Sequence, residues 1–427
     1  MIVLLVIAAL FALLAIGMPV GFAMGVSGAL GLLIGFGPDV LVGVLETAPV
    51  SALNSYELIT IPMFLLMAEM VLLSGIADDL FKTAAAWFGR IPGGLGIATT
   101  LAGAGFGAIC GTSTASAATL SATSLPAMIK QGYEPRMAAG VVAISGTLAM
   151  LLPTSVALII FALLAEVNVA KLLMSGIIPA FIVTLTIIAT ILFLVWQDPS
   201  RAPAAPAVPF REKLLLLKGV GPMLLLFAIV TGAIFTGLAT PTEASAVGAF
   251  GGFLMAVLRA RPSLRQLQHS FERAAIGSCM IAMILMGASV FGYFFTLSHV
   301  TQDLVAYVGG LNVSRWVVIV LILAMYIVLG SFMDQVAILV LTVPIVLPLI
   351  KSLGFDPIWF GVVKIVTAEV GMITPPIGLN CFIVARYSNR PVTEVFHGTM
   401  PHFAAHLIAI AIMVAFPAIV LWLPSQM

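Results

Sequence analysis

Hydroxyl and acidic side chains in this chain gather at four short interruptions of otherwise apolar sequence. The first is Gly111-Thr-Ser-Thr-Ala-Ser116, with Thr112, Ser113, Thr114 and Ser116. The second is Leu152-Pro153-Thr154, preceded within two turns by Ser145, Gly146 and Thr147. The third is Gly330-Ser-Phe-Met-Asp334, with Ser331 and Asp334, and the fourth is Thr374-Pro375-Pro376, flanked by Thr367 and Asn380. Where a helix breaks, its last carbonyls and the first N–H groups of the next segment lose their partners. Free carbonyls and hydroxyls suit a hard cation such as Na⁺, which takes oxygen ligands. Free N–H groups suit a carboxylate. Two quasi-equivalent Na⁺ sites are therefore expected. One draws on Thr112, Ser113, Ser116, Gly146 and Thr147, the other on Gly330, Ser331, Asp334, Thr367 and Thr374. An organic anion would lie between them, against Ser113, Thr154, Thr374, Pro375 and Asn380. A single serine or threonine in an apolar helix usually bonds back to its own helix or glues helices together. It is the matched sets that point to ions.

The elements that carry these groups follow from composition. The 427 residues are 62% apolar and 8% charged, and the mean hydropathy is +1.21. No soluble surface can be made from that, so the chain is an integral membrane protein. Short period-two segments are absent, which excludes a β-barrel and leaves an all-α bundle. A net charge of +1 offers nucleic acid no basic patch. Cys110, Cys279 and Cys381 stand alone in apolar runs and read as small core residues. Met1 to Gly17 lacks a basic leader and reads as a first span rather than a cleaved signal.

Spans are expected at Val20–Phe36 and Glu57–Gly75, with an amphipathic surface helix at Ile76–Arg90. A re-entrant hairpin over 93–130, a broken helix over 136–166 and a span at Lys171–Trp196 complete a first half, 1–197. A Pro/Ala-rich linker, 198–213, is semi-rigid. The second half, 214–427, has spans at Leu214–Gly237 and Pro241–Leu258, a polar arm at Arg259–Arg273 and a separate span at Ala274–Ser298. An amphipathic piece follows around Val300, Leu304 and Tyr307. Then come a second hairpin, 314–350, a second broken helix, 356–387, and a last span at Val395–Leu423.

The halves are copies. Pro19, Pro126, Pro135, Pro153 and Pro179 each meet another proline when shifted by 222, at Pro241, Pro348, Pro357, Pro375 and Pro401. Chance would give roughly 0.6 such coincidences, so this is an internal repeat. Five crossings per half make the repeat inverted. Tracing that path puts most Lys and Arg on one side, which is then cytoplasmic. Lys171, Arg315 and Lys351 fall on the other side, and Lys364 falls inside a span. Both termini are then on the outer side, and the hairpins enter from opposite sides. Inverted repeats with matched breaks at membrane depth mark secondary transporters.

Other chemistries are weaker. Asp334, Lys364 and Glu369 are intramembrane charges and so functional candidates. Asp334, in a tip, is the better ligand; Glu369 either takes part in the site or bonds the broken backbone. Glu394-x-x-His397 and His402-x-x-x-His406 have helical metal-ligand spacing. No second helix offers partners, so an interfacial Glu394/His397 and protein-facing His402 and His406 are expected. No nucleophile triad or Walker loop stands in a supporting context, so neither an enzyme nor an ATP-driven pump is expected.

Gly107-Ala-Ile-Cys-Gly-Thr-Ser-Thr-Ala-Ser116, Gly132-Tyr-Glu-Pro135 and Ala368-Glu-Val-Gly-Met-Ile-Thr-Pro-Pro-Ile-Gly-Leu-Asn380 resemble signatures of the large membrane subunit of TRAP (tripartite ATP-independent periplasmic) transporters. The resemblance spans essentially the whole chain. It implies a Na⁺-driven importer of C4-dicarboxylates, keto acids, sialic or sugar acids, with no cofactor beyond Na⁺. It implies an elevator mechanism in the bacterial inner membrane. It also implies two partners, a periplasmic substrate-binding protein and a small four-helix membrane subunit on a separate chain. Pro153-Thr154-Ser155 departs from the family's usual Pro-Pro-Ser, which leaves the part played by Thr154 open. A binding-protein-independent carrier or antiporter of the same superfamily is the alternative.

Overall fold

Helices Ile2–Ala15 (α1) and Val20–Phe36 (α2) begin the chain in the computed structural model, which describes residues 2–311 and 313–427. Met1, the expected start of the first span, lies outside the described residues. A helix that the sequence reading did not anticipate follows, Pro38–Leu53 (α3). It is 16 residues long, contains Pro49, and carries Asp39 and Glu46. That is too short and too polar for a hydrocarbon core of about 30 Å. A 3₁₀ turn at Tyr56–Ile59 leads into Thr60–Leu73 (α4), then the amphipathic Ile76–Phe88 (α5).

The expected hairpin over 93–130 is a helix pair, Gly94–Cys110 (α6) and Ser113–Lys130 (α7), joined at Gly111 and Thr112. The turn needs the left-handed backbone of Gly111, φ +65, where a Cβ would run into the Thr154 carbonyl. The polar stretch is therefore only partly a loop: Thr114 and Ser116 already lie in the first turn of α7. The expected broken helix over 136–166 is Pro135–Thr147 (α8) and Val156–Ala165 (α9), with a 3₁₀ turn between them. Pro135 sits at the first helical position, where its missing N–H costs nothing. Ser155 caps α9 by accepting from the Leu158 N–H at 3.2 Å. The next span is stepped at Gly176 into Val169–Ser175 (α10) and Ile177–Gln197 (α11).

The second half runs Phe210–Phe235 (α12), Pro241–Ala260 (α13) and Leu264–Leu297 (α14). Because α12 starts at Phe210, the connection between halves ends at 209 rather than 213. The expected polar arm and third span are a single helix: α14 is 34 residues with no proline to break it. At about 1.5 Å per residue it outruns the bilayer core, so its charged first turns lie beyond the apolar zone. Val300–Gly310 (α15) is a surface helix with no buried residue. The second hairpin is Arg315–Phe332 (α16) and Gln335–Ser352 (α17), and the second broken helix is Pro357–Gly371 (α18) and Leu379–Ser388 (α19). Val392–Ala415 (α20) and Ala418–Leu421 (α21) end the chain.

Shifted by 222, α6 falls on 316–332, α7 on 335–352 and α8 on 357–369, against α16, α17 and α18. In the same register α4 falls within α14 and α3 falls on 260–275, overlapping its start, so the unanticipated α3 stands where the second half has its polar arm. No strand occurs among the described residues.

Packing divides the helices into two groups. α2 packs on α14 and α4 on α13, with the Thr60 and Thr242 hydroxyls 2.9 Å apart between the latter pair. The hairpins, the broken helices, α11 and α20 form the other group. α5 bridges them, touching α6 and α12, and its Asp79 pairs with Arg259 of α13. At the base of the first hairpin the buried Tyr133 hydroxyl accepts the Leu95 N–H at 2.9 Å. Burial pushes the Tyr133 phenol up from its ordinary value, so it stays neutral. Tyr133→Phe strands that donor and is expected to cost about 1–3 kcal/mol, read as a lower Tm of the purified protein in detergent.

Candidate functional site

Each hairpin tip is hydrogen-bonded to the break of the following broken helix. In the first half the Val156 N–H donates to the Gly111 carbonyl at 3.3 Å. In the second half the Ile377 and Gly378 N–H groups donate to the Ser331 carbonyl at 3.2 and 3.1 Å. The close approach requires small residues: a Cβ at Gly330 would stand 2.9 Å from the Gly371 Cα, and one at Gly146 would stand 2.9 Å from the Ala117 Cβ. Gly378 itself has φ +56, where a side chain would also strike the Phe396 ring. The pairing is interlocked, because α7 lies along α19 and α17 along α9. The Ser113 hydroxyl accordingly reaches the Met372 Sδ at 3.9 Å, from the first tip to the second break. The Asn380 N–H donates to the Met372 carbonyl at 3.1 Å, so Ser113 and Asn380 meet around one residue.

The expected ion ligands fall into two kinds. Thr147, Ser331, Thr367 and Thr374 donate their hydroxyl protons back to the carbonyls of Ile144, Val328, Val363 and Val370, at 2.7 Å each. This is the ordinary behaviour of hydroxyls in apolar helices. It leaves the oxygen lone pairs free to face a cation. Thr112 lies beside Cys110, its hydroxyl 3.6 Å from the thiol, and Ser116 is buried with no hydrogen-bond partner. Asp334 caps α17, accepting the Val336 N–H at 3.0 Å. Among the expected anion contacts, Asn380 is buried and neither atom of its amide has a partner. Pro375 is exposed, as are Pro376 and Ile377, whereas the first break is closed over Pro153–Ser155. The Thr154 hydroxyl donates to the Gly107 carbonyl at 3.5 Å.

Gln335 is a polar group that the sequence reading passed over. It is fully buried at the start of α17, and both its amide atoms lack partners. A signal for it was present, since in the 222 register Gln335 is the counterpart of Ser113. Lys364 and Glu369 are also buried; neither the Lys364 Nζ nor the Glu369 carboxylate closes a hydrogen bond, and the Ser113 hydroxyl of the first tip lies near that carboxylate. Buried polar groups are ordinarily hydrogen-bonded, so orphans gathered at two breaks point to a ligand. The buried histidines are orphaned too: both ring nitrogens of His402 and the Nε2 of His406 lack partners. Glu394 pairs with Arg390 at 3.0 Å, the His397 ring meets the Thr393 carbonyl, and His402 and His406 are buried on α20. Among the described residues no three His, Cys, Asp or Glu side chains converge as metal ligands.

Residues 7–419 match the family described as Tripartite ATP-independent periplasmic transporter, DctM component. The chain belongs to this family. It is 32% identical over 408 residues to the C4-dicarboxylate TRAP transporter large permease protein DctM of Pseudomonas aeruginosa, covering 94% of each chain. It is 28% identical over 414 residues to the sialic acid TRAP transporter large permease protein SiaM of Vibrio cholerae, covering 97% of this chain and 96% of that one. The crystal structure of the Alcanivorax borkumensis YdaH transporter shares the fold at a TM-score of 0.68, with 16% identity over 91% of this chain. This DctM component is thus a multi-pass, all-helical membrane protein, with eight helices long and apolar enough to cross a bilayer among the described residues.

Proposed function

We propose that this DctM component imports an organic acid anion by coupling it to Na⁺. The observation that carries the reading is the twice-repeated bonding of a hairpin tip to a helix break, with unpartnered buried polar groups between them. A carbonyl has two lone pairs, so one already bonded to an N–H can still face a cation. Thr112, Ser113, Ser116, Gly146 and Thr147 serve one Na⁺, and Gly330, Ser331, Asp334, Thr367 and Thr374 the other. The anion sits toward the second break, against Ser113, Thr374, Pro375 and the Asn380 amide. Thr154, turned toward Gly107, supports the first break rather than touching the anion. The names of the relatives, for C4-dicarboxylate and sialic acid, favour a carboxylate cargo without choosing one.

The mechanism proposed is an elevator. The group holding the hairpins and broken helices slides against the group built on α2, α4, α13 and α14, with α3, α5, α15 and the start of α14 as arms. The two halves run in opposite senses, both termini are periplasmic, and the membrane is the bacterial inner membrane. The outer partners are a periplasmic binding protein that delivers the anion and a small four-helix membrane subunit on another chain.

The test is uptake into liposomes containing this chain and its small partner, with the cognate binding protein added. Labelled C4-dicarboxylates, keto acids and sialic acids are offered with and without an inward Na⁺ gradient. At least one acid is expected to accumulate only with the gradient. Uptake indifferent to Na⁺ removes the coupling, and full uptake without the binding protein favours a stand-alone carrier.

A further inference from the structure

A groove of about 310 Å³ runs between α5, α6 and α12, away from the tips and breaks. Leu80, Ala84 and Trp87 of α5 line it, with Leu217, Val220 and Leu224 of α12, and α6 completes it. Each set forms one helix face, because residues three, four and seven apart lie above one another. The hydroxyl in the lining, that of Thr83, donates to the Leu216 carbonyl at 3.2 Å, which leaves the wall apolar. Trp87, Leu217 and Leu224 are exposed, so the groove opens at the molecular surface.

Its mouth is basic. Lys213 stands four residues before Leu217, on the groove face of α12, and its Nζ lies 5.7 Å from the centroid of the Trp87 ring. Phe210 meets the same ring edge-on at 6.3 Å. Lys82, Arg90, Arg211 and Lys218 are exposed on or beside the same two helices. Among the described residues none of these five bases is in an ion pair. Asp78 and Glu212 oppose them, while Asp79 is taken by Arg259. An aromatic face attracts an ammonium without using its N–H donors, so Lys213 keeps them for an oxygen ligand. Tryptophan and lysine of this kind settle at headgroup level, the lysine stem lying along apolar surface.

Size and charge together choose the occupant. The groove has room for about ten groups the size of a water molecule. One turn of a helix about 10 Å across is larger, at roughly 420 Å³, so a stretch of acyl chain fits where a partner's helix does not. We propose that the groove binds an anionic phospholipid, with an acyl chain between α5 and α12 and the phosphate against Lys213. Basic side chains at a membrane surface draw anionic headgroups. Because α5 touches both packing groups, a lipid seated here fastens that arm to α12.

The experiment strips the detergent-purified protein of lipid and returns phosphatidylglycerol or phosphatidylcholine of the same chain length. Retention is read by native mass spectrometry and stability as Tm. The wild type is expected to retain phosphatidylglycerol in preference and to gain Tm from it. Lys213→Gln is expected to lower that retention about fivefold, and Lys213→Arg to preserve it. Ala84→Phe fills the groove and is expected to lower it as well; the Lys213 pair decides the matter even where Ala84→Phe does not fold. Equal retention of the two lipids, or undiminished retention in Lys213→Gln, overturns the proposal. So does an equal gain in Tm from glycerol phosphate, which reduces the site to a phosphate contact. Displacement of the lipid by the small membrane subunit also overturns it, and gives the groove to that partner. None of these readouts involves Na⁺ or uptake, so the lipid site stands or falls apart from the transport reading.

Discussion

Asp334→Asn is expected to weaken Na⁺-driven uptake sharply while leaving the protein folded. Asparagine caps a helix about as well as aspartate, so the bond accepted from the Val336 N–H survives the change. The two side chains have nearly the same shape, so the α16–α17 turn keeps its place against the second break. What is lost is a formal charge facing the proposed ion. Contacts to charged groups are worth about 1.5–3 kcal/mol, so Na⁺ affinity should fall roughly ten- to a hundredfold. The check is the Na⁺ dependence of initial uptake, beside a size-exclusion profile of the variant in detergent. Undiminished Na⁺ dependence in a well-folded variant would remove Asp334 from the site.

Gly398→Val is expected to prevent recovery of a folded protein. A Cβ at Gly398 would collide with the Arg136 carbonyl and stand 3.1 Å from the Gly140 Cα. A Cβ at Gly140 would in turn approach the Gly398 Cα at 2.7 Å, so α8 and α20 meet backbone to backbone. Overpacking usually costs about 1–3 kcal/mol when side chains can shift; here backbone atoms would have to move, which puts the cost at or above that range. The damage reaches the site, since the next residue, Thr399, donates to the Ile373 carbonyl at the second break at 3.2 Å. The readout is the yield of monodisperse protein after extraction. Gly221→Ala is the control: nothing lies within 4 Å of a Cβ there, and the change should be harmless. Normal yield of Gly398→Val would show that α8 and α20 can part without loss.

Much of the layout is local and so was legible. Apolar length, proline at first helical positions and glycine at turns mark where helices stop, and the four polar interruptions are where α6, α8, α16 and α18 end. Two boundaries misled for local reasons as well. α3 is short and carries Asp39, Glu46 and Pro49, which together read as loop. The charges Arg265, His269, Glu272 and Arg273 suggested a break before the third span of the second half, but no proline or turn residue enforces one and α14 runs straight through.

Gln335 shows the limit of reading residue types alone. A glutamine beside an aspartate at a helix start looks like a solvated end, and only its burial without partners marks it out. The hydroxyls follow the ordinary expectation for apolar helices: Thr147, Thr367 and Thr374 each give their proton back to their own helix.

The sequence by itself determined that this chain is a duplicated helical membrane protein with polar breaks at matched positions. Hydrophobic length, helix breakers and a repeat register are properties of residues near one another in the chain. The tertiary structure alone decided that each tip bonds to its own half's break while each returning arm lies along the other half's broken helix. It also decided that Lys364 lies fully buried against the Tyr326 ring with its Nζ unpartnered. Those facts depend on which apolar faces pack together across the repeat. Lipid-like faces of similar composition leave that choice to shape and close approach, at glycines such as Gly330 and Gly371, rather than to anything a single segment carries.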